Sequence, residues 1–194
     1  MIPERVTTDR LILRRFTRRD TDAVFHAVEA SLPQLSEYLP WAHAGYTRDD
    51  AAAYIRDSIG AWKEGRAYDY AIRLRSHPSH HLGNISIWHV SRLGRTGEIG
   101  YWVRTDHAGR GIATEATSAL LDKGFMHLGL HKVTLRIALG NRSSERVAEK
   151  LGFTREGVLR EELKINGVWT DHTLYSILEH EHGLRPARPE GSIS

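Results

Sequence analysis

The sequence predicts a single domain of the mixed α/β class, and three observations carry that prediction. Apolar spacing changes from a helical period to a period of two near Tyr68 and returns to a helical period after Gly111. Three strand-like segments follow one another between Tyr68 and Arg104 with short polar links, the pattern of an antiparallel meander. Two further strand-like runs flank Asn166-Gly167, a dipeptide that accepts the positive φ of a tight hairpin turn.

The first strand is expected over Arg10 to Phe16, where Leu11 and Leu13 alternate with Ile12 and Arg14. Thr17 and Asp20 then have capping-box spacing, and Ala23, Val24, Ala27 and Val28 recur on one side of the helix that follows. Pro33 and Pro40 interrupt that pattern, so residues 32 to 46 read as a loop with a short helical turn. Thr47 and Asp50 repeat the capping signal, and Ala52, Ile55, Ile59 and Trp62 give an amphipathic helix that ends near Gly65. The meander is expected over Tyr68 to Arg75, Leu82 to Val90 and Glu98 to Arg104. After Gly111 a helix carries Ala113, Ala116, Leu120 and Gly124 on one stripe, with Leu121, Phe125 and Leu128 beside it. Val133 to Leu139 is a strand; Asn141 can cap the next helix, Glu145 suits its first turn and Gly152 is placed to end it. Phe153 to Ile165 and Val168 to Leu178 complete the hairpin, giving seven strands and four helices in all. Residues 1–182 are expected to form the domain, and Gly183 to Ser194, rich in Gly, Pro, Arg and Ser, a flexible tail.

A chain of 194 residues suits one domain, and 40% hydrophobic with 26% charged residues is the composition of a globular protein. There are no cysteines, which excludes disulfides, thiolate metal sites and a covalent thiol intermediate. The formal charge is +3 and the pI about 9.3, compatible with an anionic ligand. Signs are mixed along the chain, so no nucleic-acid partner is expected. No run approaches the roughly 18 to 20 apolar residues of a membrane span, and the first ten residues lack the apolar core of a secretory signal. A cytoplasmic protein without a membrane partner is the expectation. His77, His80 and His81 sit in a Pro-containing link without nearby carboxylates and read as a solvated turn rather than a metal site.

The stretch from Glu98 to Ala116 carries most of the chemistry. A strand leads into Gly109-Arg110-Gly111 and directly into a helix, so flexible glycines, unpaired helix N–H groups and one Arg gather where a phosphate can be wrapped. The same turn also reads as an ordinary helix entry. It lacks the Gly-Lys-Ser/Thr of a nucleotide P-loop and the spacing of a dinucleotide fingerprint.

With Thr8-Asp-Arg-Leu-Ile-Leu-Arg14, Leu39-Pro-Trp41, Glu98-Ile-Gly-Tyr-Trp102, Gly109-Arg-Gly-Ile-Ala-Thr-Glu-Ala116, Asn141-Arg-Ser-Ser144, Glu149-Lys-Leu-Gly-Phe153, Glu156-Gly-Val-Leu-Arg160 and Asp171-His-Thr-Leu-Tyr175 in this order, the chain resembles the GNAT superfamily of acetyl-CoA-dependent N-acetyltransferases. Its RimJ/RimL-type branch is the most similar. The resemblance implies a mixed, mostly antiparallel central sheet of about 6–7 strands flanked by about four helices, acetyl-CoA as co-substrate, no metal, and a possible homodimer. It further implies that backbone groups of Trp102, Val103 and Arg104 pair with the pantetheine arm. The N–H groups of Gly109, Arg110, Gly111, Ile112, Ala113 and Thr114 would receive the pyrophosphate. One departure is that the polar residue opening the superfamily's phosphate motif falls on Ala108, which shifts the burden to backbone and to Arg110.

Acetyl transfer to an amine requires a neutral nitrogen, a thioester held close and a place for the released proton. Glu98 resembles the superfamily's glutamate base; a solvated or ion-paired strand carboxylate is the other reading. Ser144 takes the place of the tyrosine that protonates the leaving thiolate in other members, whose position here is Ala148; otherwise it serves as a first-turn cap. Asn141 contacts CoA, caps the helix, or does both. A glutamate assigned to catalysis in the RimL-type pattern aligns near Leu163, just after Glu161 and Glu162. Trp41, Tyr46 and Trp169 are candidates for the acceptor pocket or for core and rim packing. The function so implied is acetyl transfer to an amine-bearing acceptor, a protein N-terminus or a small molecule. The alternative is a non-catalytic acyl-CoA-binding module.

Overall fold

The computed structural model describes residues 1–183, and within them eight strands form one sheet in the order β1-β2-β3-β4-β5-β6-β8-β7. The strands are β1 (Arg5–Thr7), β2 (Leu11–Arg15), β3 (Ala67–Leu74), β4 (His81–Ser91), β5 (Thr96–Val103), β6 (Lys132–Ala138), β7 (Thr154–Ile165) and β8 (Val168–Leu178). The helices are α1 (Thr21–Glu29), α2 (Leu32–Leu35), α3 (Arg48–Glu64), α4 (Ile112–Leu128) and α5 (Arg142–Lys150). All neighbouring strands run antiparallel except β5 and β6. The class and the meander are as the sequence predicts, with one strand more. That strand, β1, has three residues and a single buried side chain, Val6, too short to display alternation. The helical turn expected within residues 32 to 46 is α2, with Pro33 in its first turn. Apart from Gly183, the expected tail lies outside the described residues.

The sheet buries both faces. Ile85, Ile87 and Ile99 point toward Leu120, Leu121 and Phe125 of α4, while Ala71 and Trp102 join Val24, Ala27 and Ile55 of α1 and α3 on the other side. A Cβ on Gly124 would lie 2.7 Å from Ile87, so the stripe of small residues on α4 is what lets the helix lie flat on β4. Local signals behave as their chemistry dictates. Thr47 and Asp50 exchange capping bonds at 3.3 and 2.7 Å, and α3 ends at Gly65 with φ +66°.

His81 corrects an expectation. It opens β4 and is buried, between the rings of Phe16 (6.1 Å) and Trp102 (6.0 Å), whereas His77 and His80 are exposed. Burial, reinforced by Arg73, lowers its pKa to about 4, so its ring is neutral. Its covering residues are remote in sequence, which is why a local reading places it in solvent.

Asp20 ties the first part of the chain to the sheet. Its Oδ1 accepts from Arg14 (2.6 Å) and Arg73 (2.7 Å), and its Oδ2 from Arg14 (3.0 Å), the Thr17 N–H (2.7 Å) and the Thr17 hydroxyl (2.9 Å). Burial works against ionisation, but these donors outweigh it and bring the carboxyl down to about 2 from 3.8. Because the folded value lies below the unfolded one, this stabilisation is complete above about pH 4 and fades as the pH falls toward 2, amounting to about 2 kcal/mol. Asp20→Asn is expected to lower the urea midpoint at pH 6 and to flatten its decline between about pH 4 and about 2.

Candidate active site

The pairing of β5 with β6 covers only Thr96–Glu98 against Lys132–Thr134, although β5 continues to Val103 and β6 to Ala138. Beyond Glu98 the two strands part and leave backbone groups on facing edges. The Arg104 N–H donates to Leu82 of the preceding strand (2.7 Å), so by alternation Trp102 also turns its backbone toward β4. The N–H and C=O groups that face the gap are therefore those of Tyr101 and Val103.

A cleft of about 460 Å³ opens at this gap. Tyr101, Trp102 and Val103 form one wall, and Gly109, Gly111, Ile112, Ala113 and Thr114 another. Asn141 and Ser144 line it from the start of α5, and Gln34, Leu35 and Tyr38 from α2 and the residues after it. Arg104 and Arg110 are not among the residues that line it; the Arg104 guanidinium pairs with Asp106 at 2.7 Å, and the Arg110 carbonyl accepts from Arg10 at 3.0 Å.

Gly109 and Gly111 have φ of +74° and +76°, and a Cβ on Gly109 would meet nothing within 4 Å, so conformation rather than crowding requires glycine there. Gly111 is the N-cap of α4 and supplies no side-chain acceptor, which leaves the first N–H groups of the helix for a ligand. At α5, Asn141 Oδ1 accepts from the Ser144 N–H at 3.2 Å, a cap that holds Ser144 on the cleft wall. Its hydroxyl is next to the phenol of Tyr101, whose buried oxygen has no partner at hydrogen-bond distance among the described residues and whose pKa burial pushes up to about 12. Tyr101 is absent from the residues predicted from sequence. The signal for it is parity: it alternates with Gly100 and so faces the same side as Ile99.

Glu98 lies on the opposite face of the sheet, with Gly100 and Trp102. It is buried, and both its oxygens accept from Arg136 Nε, at 2.9 and 3.0 Å. Arg136 also donates to Glu162 at 2.5 Å. Burial raises the pKa of Glu98; Arg136 opposes the shift and Glu162 adds to it. Glu162 reaches this position through a bulge, where β7 slips register between Leu159 and Leu163 and Glu161 adopts φ +50°. Asp171 secures the bulge by accepting from the Glu161 N–H at 2.8 Å.

The aromatic candidates separate. Trp41 lies 6.1 Å from Trp102, whose side chain is on the Glu98 face of the sheet, and 6.0 Å from Tyr46, and neither Trp41 nor Tyr46 is among the residues that line the cleft. Trp169 is 57% exposed on β8 and belongs to no such ring pair among the described residues. The hairpin tip does reach α2, because Asn166 donates to the Ser36 carbonyl at 2.8 Å. Among the described residues, no three acidic or histidine side chains are grouped as a metal would need, and no helix is long and apolar enough to cross a membrane.

A strand pair that parts to expose backbone, beside a helix whose N-terminus lacks a side-chain cap, is the arrangement of a fold that holds an acyl-CoA donor. Residues 10–154 match the model of the acetyltransferase (GNAT) domain, and the chain belongs to that family. It is 41% identical over 98 residues to "Probable N-acetyltransferase YjcK" of Bacillus subtilis, a match spanning 50% of this chain and 54% of that relative. It is 31% identical over 172 residues to "Uncharacterized N-acetyltransferase YoaA" of the same species, covering 89% of this chain and 95% of the other. Among solved structures it superimposes on Mycobacterium smegmatis RimJ in complex with CoA-disulfide with a TM-score of 0.79 and 28% identity, over 88% of this chain and 83% of that one.

The Glu98–Arg136 ion pair makes one testable demand. Arg136→Met leaves Glu98 buried without its cation, so its pKa is expected to move further up. Carbon-13 NMR titration of the Glu98 carboxyl in wild type and variant reads that shift directly.

Proposed function

We propose that the protein transfers acetyl from acetyl-CoA directly to a primary amine, the α-amine of a protein N-terminus or an amine of a small molecule. The observation that carries this reading is the parting of β5 and β6. The cleft of α4 and Ser144 lies beside this parting on one face of the sheet and Glu98 lies on the other, which supports a donor and an acceptor that meet from opposite sides. The 27% identity over 142 residues to the "Ribosomal-protein-serine acetyltransferase" of Escherichia coli, covering 73% of this chain and 78% of that one, supports a ribosomal protein as an acceptor.

The residues present suit an acyl-CoA. The uncapped N–H groups of Gly111 to Thr114 meet the pyrophosphate, and the free backbone of Tyr101 and Val103 pairs with the pantetheine amides. Acetyl-CoA supplies an activated acyl group. Glu98, directly or through a water, takes the proton of the acceptor ammonium; the neutral nitrogen then forms its bond to the thioester carbon as the carbon–sulfur bond breaks. Ser144 gives a proton to the departing sulfur and regains one, directly or through water, from the nitrogen as it becomes the amide, so that CoA leaves as the thiol. Arg136 can give up one oxygen of Glu98 and remain paired, because Glu162 holds it from the other side. No acyl-enzyme is needed, in keeping with a chain that has no cysteine.

Purified protein incubated with acetyl-CoA and a panel of peptides and small amines should release free CoA thiol and yield an acetylated product by mass spectrometry. Binding of acetyl-CoA with no turnover across the panel would instead identify a non-catalytic acyl-CoA-binding module. Gly111→Trp fills the approach to the turn and is expected to weaken CoA binding at least about 100-fold by calorimetry, since the turn also requires positive φ. Glu98→Gln should lower kcat about 100-fold. That deficit is expected to be largest at low pH, where the acceptor is protonated, and to shrink as pH rises; an unchanged pH profile would remove Glu98 from the mechanism.

A further inference from the structure

We infer that Thr8, Arg10 and Glu115 form a clamp that positions the Gly109–Gly111 turn for the pyrophosphate of the acyl donor, with Arg10 acting through the turn rather than by touching the donor. The inference rests on the proposed role of that turn as the pyrophosphate cradle. Thr8 and Arg10 belong to the tight connection between β1 and β2, more than a hundred positions away in sequence from the helix they hold.

The contacts converge on one carboxylate and one carbonyl. Glu115 Oε1 accepts from the Thr8 hydroxyl at 2.5 Å and from the Arg10 N–H at 3.0 Å, and its Oε2 accepts from Arg10 Nε at 2.6 Å. The same guanidinium donates through Nη1 to the carbonyl of Arg110, the residue between the two glycines, at 3.0 Å. A Cβ on Gly111 would lie 3.4 Å from Arg10 Nη2, so the guanidinium packs against the turn itself.

Two physical consequences follow. Gly109 and Gly111 give the turn its shape but also the greatest conformational freedom, and neither has a Cβ through which packing could restrict it. Anchoring the carbonyl between them fixes the peptide planes on either side, and with them the direction of the N–H groups that meet the ligand. The second consequence is electrostatic. Glu115 is in the first turn of α4, where its charge suits the helix dipole but would repel an anion arriving at the same N-terminus. Burial alone would favour its neutral form; the bonds from Thr8 and Arg10 outweigh that and keep it ionised with both oxygens occupied. The charge is neutralised by Arg10 and turned away from the cleft. This gives a task to the Thr8-Asp-Arg and Thr114-Glu-Ala elements of the sequence, for which the transfer chemistry itself has no use.

Calorimetric binding of CoA, dephospho-CoA and pantetheine tests the inference without knowledge of the acceptor. Arg10→Ala is expected to weaken CoA and dephospho-CoA about tenfold each and to leave pantetheine, which lacks the pyrophosphate, as in the wild type. A penalty that disappears already with dephospho-CoA would mean that Arg10 touches the 3′-phosphate directly. An equal penalty for all three ligands would mean general structural support. Either result overturns the clamp. Thr8→Val, which removes one bond to Glu115 and keeps the side-chain shape, should weaken CoA relative to pantetheine about threefold, and serves if Arg10→Ala fails to fold. Wild-type protein that binds CoA no more tightly than pantetheine would overturn the cradle itself, a result distinct from failure of the clamp.

Discussion

The architecture depends on where one ladder of hydrogen bonds stops. β5 and β6 pair over three residues each and then part, and every feature of the site is arranged around that parting. Had the ladder run the length of β6, the backbone of Tyr101 and Val103 would be spent inside the sheet, and its two faces would be sealed from one another. Unpaired backbone groups inside a domain are costly unless a ligand or water takes them, so a gap held open in the middle of an eight-stranded sheet is itself a binding feature. What holds it open is the rest of the fold. β4 and the meander secure one lip, while β8, inserted between β6 and β7, secures the other.

The charge of the molecule reads differently once this is seen. A formal charge of +3 says little about an anionic ligand, because the exposed cations are spread over the surface and several of them are paired with carboxylates there. At the turn before α4 the relevant donors are peptide N–H groups, fixed in direction and needing no reorganisation when an anion arrives. Arg110 was the natural cation to expect there, yet its carbonyl, as acceptor from Arg10, has the defined structural role.

Periodicity and capping made most of the elements legible. α3 could be read from Thr47 to Gly65 because both its ends carry chemistry that is nearly unambiguous, and the Asn166-Gly167 turn likewise. β1 could not be read, since three residues show no period, and His81 could not, since its burial comes from Phe16 and Trp102. The cleft was legible to the extent that consecutive residues build it, as at Gly109 to Thr114. Which backbone groups of β5 face the gap depends on the bond from Arg104 to Leu82, a choice of edge that the sequence of the strand does not encode.

The same limit explains why Glu98 could be singled out but its environment could not. Its partner Arg136 is 38 residues away, and Glu162 arrives only because a bulge inserts extra residues and Asp171 holds it. The pair of carboxylates around one guanidinium has a physical logic beyond stability. A buried carboxylate with no cation would be neutral and already protonated, useless as a base; one locked to a single Arg would be ionised but fully occupied. Sharing Arg136 between Glu98 and Glu162 avoids both extremes. Arg136 favours the ionised form of Glu98 against the effect of burial, and the cost of freeing one of its oxygens is limited because the guanidinium remains paired with Glu162. In the reaction proposed above, an arriving ammonium would replace part of what Arg136 supplies, so that its deprotonation would be a local exchange of partners at Glu98.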